Sequence, residues 1–342
     1  MKQLFIHFGA HKTASTAIQK FLDRQPSTGD GWCYIPRSAM TRKPDKWLQT
    51  IARKRHRERD ILAAAADVGR MLNQLPGDRI LISNENLLGP MPGLEDRHPS
   101  PFYPYLDQLV LFLTALKPHV ALHGLLFVRE QYSFIRSCYQ FRVHKGSAMS
   151  FAEFHGRLAG EPLSWLRVAD ALKAPLGQHM KVLPFELFKS HAAHVRTHLL
   201  RFHPAFEHLR RLPRANVSIS PFALFIVQRL RAHGVRIHKQ TSLFSKKIEA
   251  DIQSATLPGN GLFPPVDQLE AIAMDAAAKY FHPIFPGWKS ALKAAIRHYV
   301  DAPVKPFDLP GDTIASIRAQ HRSDNEALFA KYMKPDWLKF WG

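Results

Sequence analysis

The sequence predicts an α/β fold of three layers, with a central parallel sheet of about five strands and a mainly helical C-terminal region. Short apolar runs alternate with helical patterns of ten or more residues in the first part of the chain. Turn residues border these runs, and the strand signal fades after about residue 190. Strands that alternate with helices are joined by right-handed crossovers, so the sheet is expected to be parallel.

Four buried strands are predicted from β-branched and apolar runs, and a weaker run predicts a fifth. The four cover residues 3–8, 79–83, 122–128 and 180–183, and the fifth covers residues 32–35. Helices are predicted between them at residues 15–24, 61–72, 103–116 and 132–143. Further along, Ser220 and Pro221 open a helix that Gly234 closes, Asp267 starts another, and residues 257–265 form a loop. We expect one domain over residues 1–342, with an α/β core at 1–190 and a helical cap at 191–342.

The charge balance points to an anionic partner. Lysine and arginine number 47 against 28 aspartates and glutamates, a formal net charge of +19. Nucleic acid, an anionic membrane, an acidic glycan and a polyphosphorylated nucleotide would each be attracted to this field. The densest basic run, residues 53–59, has no interleaved aromatics and is interpreted as a solvated helix face.

The cysteine count and the apolar runs indicate the compartment. Cys33 and Cys138 are the only cysteines, so a disulfide framework is not expected. No run reaches the roughly 18 apolar residues of a membrane span, and the first strand is too short for a signal-peptide core. We therefore expect a cytoplasmic protein.

The first motif joins a strand, a tight loop and a helix start within residues 4–18. Backbone amides at a helix start lack intrahelical partners and lie at the positive end of the helix dipole, which favours a phosphate. Lys12 adds a full charge, and the hydroxyls of Thr13, Ser15 and Thr16 add donors. The alternative is that Ser15 and Thr16 are simple helix caps.

This loop is not a Walker A sequence, because Ile6 and His11 stand where that motif requires glycine. Its pattern G-x-H-K-T-x-[ST]-T, followed by an apolar residue and Gln, resembles the 5'-phosphosulfate loop of sulfotransferases that use 3'-phosphoadenosine 5'-phosphosulfate (PAPS). The resemblance is closest to the bacterial branch and implies that the loop binds PAPS through Gly9, His11, Lys12, Thr13, Ala14, Ser15 and Thr16. Ala14 stands where that family usually has glycine, the residue that tolerates positive φ.

A second motif follows the predicted strand at residues 122–128. Arg129 ends the strand, and Ser137 lies eight residues later in a predicted helix. In the sulfotransferase family an R-x7-S pattern at this place binds the 3'-phosphate of the co-substrate, so the resemblance implies this role for Arg129 and Ser137. Arginine suits it because its planar fork donates two hydrogen bonds to one phosphate. By itself, an arginine at a strand end is more often part of a structural ion pair.

A third motif places Glu85 just beyond the predicted strand at residues 79–83. Ligands of open α/β sheets bind along this edge. The segment resembles the S-x-E of many bacterial sulfotransferases, which implies that Glu85 is the general base for the acceptor. Other branches use a histidine, so His11 and His98 stay as alternatives. Glu85 could instead interact with a helix dipole or pair with an arginine.

The resemblance implies a sulfotransferase that moves a sulfuryl group from PAPS to a hydroxyl or amine, on a glycan or other anionic metabolite. Lys12 and Glu85 would be its catalytic residues. The alternatives are a P-loop kinase of small molecules and a non-catalytic binder of nucleic acid or another polyanion. We expect a small-molecule or glycan acceptor and neither nucleic acid nor an obligate protein partner, while peripheral contact with an anionic membrane stays open.

No metal is predicted, although the chain has 19 histidines. We identify no H-x-x-x-H pair on a helix face, no H-E-x-x-H motif and no clustered cysteine and histidine spacing. Sulfuryl also carries less charge than a γ-phosphoryl group, so its transfer does not demand Mg²⁺.

Overall fold

The computed structural model describes most of the chain. The residues described are 1–26, 28–29, 31–93, 102–144, 147, 149–158, 162–210, 221–232, 235, 241–255, 264–281, 286–301 and 311–341. Ser220, Gly234, His98 and nearly all of the predicted loop at 257–265 lie outside them.

The described strands form one sheet in the order β2-β3-β4-β1-β5-β6. They are β1 (Gln3–His7), β2 (Thr28–Gly29), β3 (Trp32–Ile35), β4 (Arg79–Ser83), β5 (Ala121–Val128) and β6 (Met180–Pro184). Neighbouring strands from β3 to β6 pair in parallel, and only the two-residue β2 pairs antiparallel, with β3. The predicted parallel sheet of about five strands is confirmed, including the weaker fifth strand.

The helices of the first half alternate with these strands. They are α1 (Ser15–Leu22), α2 (Trp47–Thr50), α3 (Glu58–Gln74), α4 (Leu106–Leu116), α5 (Gln131–His144), α6 (Phe151–Leu158) and α7 (Trp165–Leu176). After β6 the regular elements described are helical: α8 (Leu187–Ser190), α9 (Ala192–Phe202), α10 (Pro221–Ala232), α11 (Thr241–Ala255), α12 (Val266–Tyr280), α13 (Trp288–Asp301), α14 (Gly311–Gln320) and α15 (Arg322–Tyr332).

The start of α4 differs from the prediction by three residues. Tyr103, the predicted first residue, has a φ of 53°, which lies outside the right-handed helical region. Pro104 follows it, and a residue before proline is disfavoured in the α region. The helix therefore begins at Leu106, while its predicted end at Leu116 is correct.

The sheet is covered on both faces, as a three-layer fold requires. Phe5, Leu81, Leu125, Phe127 and Leu183 share a buried cluster with apolar residues of α1 and α9. On the opposite face α7 packs against β5 and β6. A β-carbon on Gly124 of β5 would lie 2.5 Å from the Leu176 side chain at the end of α7, so a larger residue would require that side chain to shift.

Two compact units can be distinguished by their internal contacts. The first comprises Met1–Phe134, Leu158–Asn216 and Ser316–Gly342, and it contains the whole sheet. The second comprises Ile135–Arg157 and Val217–Ala315, and its described elements are helical. Within it, Glu270 is buried and pairs with Arg297 at 2.8 Å. The predicted boundary between core and cap at residue 190 stays a prediction.

None of the described helices combines the length and the apolar character needed to cross a membrane.

Candidate active site

The ends of three parallel strands bring the predicted motifs to one edge of the sheet. His7 at the end of β1 is in register with Ser83 at the end of β4. β5 ends one residue before Arg129 on the other side of β1. The loop after β1, the turn with Glu85 after β4 and Arg129 after β5 therefore start from the same edge, where open α/β sheets bind ligands.

The loop after β1 is bent by two residues in the left-handed region. Lys12 has a φ of 67°, and Ala14, the N-cap of α1, has a φ of 65° and a ψ of 12°. Ala14 thus adopts the conformation for which the sulfotransferase pattern usually supplies glycine. The β-carbon of alanine makes this conformation costly, so the loop carries backbone strain at this position.

Two of the three predicted hydroxyl donors hold the loop itself. The buried Thr13 donates through Oγ1 to the carbonyl of Ala10 at 2.6 Å. The buried Ser15 donates to the carbonyl of Gly9 at 3.2 Å. Thr16 is partly exposed, and no hydrogen bond links its hydroxyl to another described residue. Thr16 is therefore the hydroxyl of this group that is placed to meet a ligand.

Three consecutive backbone amides where α1 begins have no hydrogen-bond acceptor among the described residues. The amides of Ala17 and Ile18 both donate to the carbonyl of Ala14, as in a regular first turn. No described residue accepts a hydrogen bond from the N–H of Ala14, Ser15 or Thr16. These amides stand at the positive end of the helix dipole next to Lys12, so the loop fits a phosphate group.

Gly9 is required by the packing at the base of the loop. A β-carbon there would lie 2.3 Å from Ser15 Oγ and 2.8 Å from the His7 ring. Burial lowers the pKa of His7 to about 3, so this imidazole is neutral at pH 7. Its Nδ1 forms a 2.8 Å hydrogen bond with Ser83 Oγ, which joins the ends of β1 and β4 beneath the loop.

Arg129 connects the second motif to this loop. Its Nη1 donates to the carbonyl of Lys12 at 2.9 Å, and its Nε donates to Ser133 Oγ at 2.9 Å. The guanidinium lies over the ring of Phe185, 4.9 Å from the centroid. The Trp165 indole donates to the carbonyl of Arg129 at 2.7 Å. Arg129 is thus fixed in place and itself holds the loop after β1.

Ser137 is buried on α5, in a segment that belongs to the second unit, whereas Arg129 belongs to the first. The serine that hydrogen-bonds Arg129 in this structure is Ser133, one helical turn earlier. The joint action of Arg129 and Ser137 on a 3'-phosphate therefore stays a prediction.

Glu85 is held at the start of a 3-10 turn, Glu85–Leu88. The turn is anchored by Asn84, which accepts from the N–H of Asn86 at 3.0 Å and donates to the carbonyl of Leu48 at 2.8 Å. Both carboxylate oxygens of Glu85 have a partner. Gln19 Nε2 donates to Oε2 at 2.7 Å, and Arg37 Nη1 pairs with Oε1 at 2.8 Å. The arginine pair considered for Glu85 from the sequence is therefore present, and its partner is Arg37.

His11, the alternative base, lies close to Glu85. It is buried, and its Nδ1 is 3.3 Å from the hydroxyl of Tyr103. Burial lowers the pKa of His11 to about 4, although the charge of Glu85 and a hydrogen bond that the imidazole donates to the Asn86 side chain act in the opposite direction. A histidine with so low a pKa is a poor proton acceptor at neutral pH.

A cavity of about 570 Å³ opens beside Glu85. Gln19 and Arg37, the two partners of Glu85, form part of its wall. The remaining lining residues are Asp23, Ser38, Met40, Thr41, Lys46, Gln49, Thr50 and Arg53.

The described residues contain no group of three or more histidines, cysteines, aspartates or glutamates that could hold a metal ion. The expectation that no H-x-x-x-H pair lies on a helix face was wrong. His194 and His198 occupy successive turns of α9, with their Nε2 atoms 3.0 Å apart.

Four residues of this site were not expected from the sequence: Gln19, Arg37, Tyr103 and Ser133. Gln19 closes the first motif, and the sequence does carry a signal for it. It is a polar residue on the apolar face of α1, beside Ile18 and Leu22. Arg37 had no comparable signal, because it lies on a short turn 48 residues before Glu85 in the sequence.

Comparison with solved structures finds a likeness to a sulfotransferase. No protein-family model matches the sequence, and no curated protein matches it. The crystal structure of a sulfotransferase from Alicyclobacillus acidocaldarius aligns over 68% of this chain and 91% of its own, with 14% identity and a TM-score of 0.38. Similarity at this level does not decide function.

Proposed function

We propose that the protein is a PAPS-dependent sulfotransferase that moves a sulfuryl group to a hydroxyl or amine of a glycan or other anionic metabolite. One observation carries the proposal. Ala14, Ser15 and Thr16 present three consecutive backbone amides without a described acceptor, directly after Lys12 and at the carboxyl end of the central strand. This is an arrangement that binds a phosphate through the backbone.

The 5'-phosphosulfate would be held by these amides, the ammonium group of Lys12 and the hydroxyl of Thr16. Thr13 and Ser15 would act indirectly, by keeping the loop in shape through their bonds to Ala10 and Gly9. The 3'-phosphate is assigned to Arg129 and Ser137 on the R-x7-S resemblance. Without the Walker glycines, the loop does not favour a nucleoside triphosphate.

Glu85 and Lys12 would do the chemistry at this edge. The acceptor oxygen or nitrogen forms a new bond to sulfur while the bond between sulfur and the bridging phosphate oxygen breaks. Glu85 takes the proton from the acceptor, and Lys12 stabilises the negative charge that develops on the bridging oxygen. The products are the sulfated acceptor and 3',5'-adenosine bisphosphate.

Thermal unfolding with different ligands tests the assignment, because a ligand that binds only the native state raises its melting temperature. We expect 3',5'-adenosine bisphosphate to stabilise the protein more than ATP with Mg²⁺ or duplex DNA does. Stabilisation by ATP only when Mg²⁺ is present would instead indicate a small-molecule kinase. Stabilisation by DNA alone would indicate a polyanion binder.

Lys12→Ala gives the sharper test. We expect this variant to stay folded and to lose both PAPS turnover and most of the stabilisation by 3',5'-adenosine bisphosphate. Lys20→Ala is the matched control, since Lys20 is an exposed lysine on the last turn of the same helix. Near-normal turnover by Lys12→Ala would refute the assignment.

A further inference from the structure

Hydrogen bonds among the lining residues hold the wall of the cavity beside Glu85 in place. Gln49 donates through Nε2 to the carbonyls of Arg37 and Met40, at 2.8 and 2.9 Å. Thr50 donates to the carbonyl of Lys46 at 3.0 Å. The volume of about 570 Å³ lies within the usual range of small-molecule sites, roughly 300–1,000 Å³.

Positive charge dominates the lining. Arg37, Lys46 and Arg53 face the cavity together with a single carboxylate, that of Asp23. Asp23 already accepts a hydrogen bond from the hydroxyl of Tyr34 at 3.2 Å. Within the described part of the chain, Lys46 and Arg53 form no ion pair. This excess of cations favours a ligand with an anionic group.

The uncharged lining favours hydroxyl groups over apolar rings. Ser38 and Thr41 contribute hydroxyl groups, and Gln49 and Thr50, whose hydrogens hold the wall, contribute acceptor oxygens. Met40 is the one apolar side chain among the lining residues. Apolar ligands require mostly apolar walls. A polyhydroxylated molecule, such as a sugar, matches these donors and acceptors better than an aromatic or lipid acceptor does.

Arg37 links the cavity to the proposed base. A guanidinium bound to Glu85 competes with an incoming proton for the same carboxylate oxygens. One partner of Glu85 therefore has to leave before one of the carboxylate oxygens is accessible to a proton. Gln19 is buried and also donates to the carbonyl of Ser83 at 3.0 Å, whereas the Arg37 side chain is 43% exposed. Arg37 is the partner that can move.

We propose that this cavity is the acceptor site, that the acceptor is a hydroxyl-rich molecule carrying a carboxylate or sulfate group, and that Arg37 exchanges from Glu85 to that group when the acceptor binds. The role of this molecule as an acceptor rests on the proposed function, but its predicted binding to the cavity does not require PAPS. An acceptor without the anion leaves Arg37 on Glu85, so the exchange also makes the base selective for anionic acceptors.

Binding of two matched sugars to the full chain tests the site without any nucleotide. The probes are methyl β-D-glucuronide and methyl β-D-glucoside, which differ in a carboxylate against a hydroxymethyl group, and binding is measured by ligand-observed NMR titration. We expect the wild type to bind the glucuronide about tenfold tighter, the size of one charge-assisted contact. Glucose 6-sulfate against glucose distinguishes a sulfate from a carboxylate requirement.

Substitutions with opposite expected effects on glucuronide binding test the exchange of Arg37. Arg37→Gln is expected to remove most of the preference for the glucuronide, and Arg37→Lys to keep part of it. Glu85→Gln is expected to strengthen glucuronide binding severalfold, because Arg37 no longer has a charged partner to leave. Arg55→Gln is the control, since Arg55 pairs with Asp107 at 2.5 Å and does not line the cavity.

Equal binding of the two sugars by the wild type, or binding of neither, would overturn the proposal. So would a glucuronide preference that Arg37→Gln leaves intact, while weaker binding by Glu85→Gln would overturn the exchange. These outcomes are separable from the proposed function. A protein that binds 3',5'-adenosine bisphosphate through Lys12 but shows no sugar preference refutes only the inference, and the reverse result refutes only the sulfotransferase assignment.

Discussion

Replacing Ala14 with glycine should stabilise the protein. Ala14 has a φ of 65°, and a left-handed conformation costs an L-residue with a β-carbon about 1–2 kcal/mol. Glycine has no β-carbon but loses more conformational entropy on folding, which costs about 0.5–1 kcal/mol relative to alanine. The difference predicts that Ala14→Gly raises the free energy of unfolding by about 0.5–1 kcal/mol.

The matched control is the same substitution where the backbone is helical. Ala63 is exposed in the middle of α3, so Ala63→Gly should lower the free energy of unfolding by about 1 kcal/mol. Both effects are measured by urea titration followed by circular dichroism, as shifts of the midpoint at an unchanged slope. The two substitutions should therefore act with opposite sign. A loss of stability from Ala14→Gly as large as that from Ala63→Gly would refute the claim of backbone strain in the loop.

Two further predictions concern the same edge of the sheet. Arg129→Lys cannot keep both hydrogen bonds of the guanidinium, so we expect affinity for 3',5'-adenosine bisphosphate to fall about tenfold or more in isothermal titration calorimetry, and unchanged affinity would contradict the fixed geometry. His7 has a pKa of about 3 in the folded state against about 6.5 when unfolded. Its contribution to the free energy of unfolding is therefore complete above pH 6.5 and is lost as the pH falls toward 3. Between pH 7 and pH 5 the free energy of unfolding of the wild type should fall by about 2 kcal/mol more than that of His7→Asn, as measured by urea titration. Equal losses in the two proteins would refute the buried, neutral state of His7.

Much of the fold could be predicted because its signals are local. Each of the five parallel strands is a short apolar run between turn residues, and each was placed to within about two residues. The start of α4 was misplaced because the apolar pattern continues through Tyr103, while the backbone there is set by Pro104 and a positive φ. The antiparallel β2 is too short to leave a periodic signal.

The candidate site could be predicted only where its residues follow strands directly. Parallel strands bring their carboxyl ends together, so residues just beyond β1, β4 and β5 were expected at one edge. The partners of Glu85 could not be found in this way, because Gln19 reaches it from a helix face and Arg37 from a short turn. The choice between Ser133 and Ser137 likewise depends on where the guanidinium of Arg129 points, which spacing does not fix.

The loop after β1 and the second motif form one physical unit in this structure. The carbonyl of Lys12 belongs to a residue in the left-handed region, and Arg129 donates to that carbonyl from the end of the neighbouring strand. A change at Arg129 therefore acts on the loop as well as on any phosphate that the arginine itself binds. The loop is strained at Ala14 and held at Lys12, so its shape depends on both motifs being present. This gives a physical reason why Arg129, an uninformative residue type by itself, is informative beside a G-x-H-K-T loop.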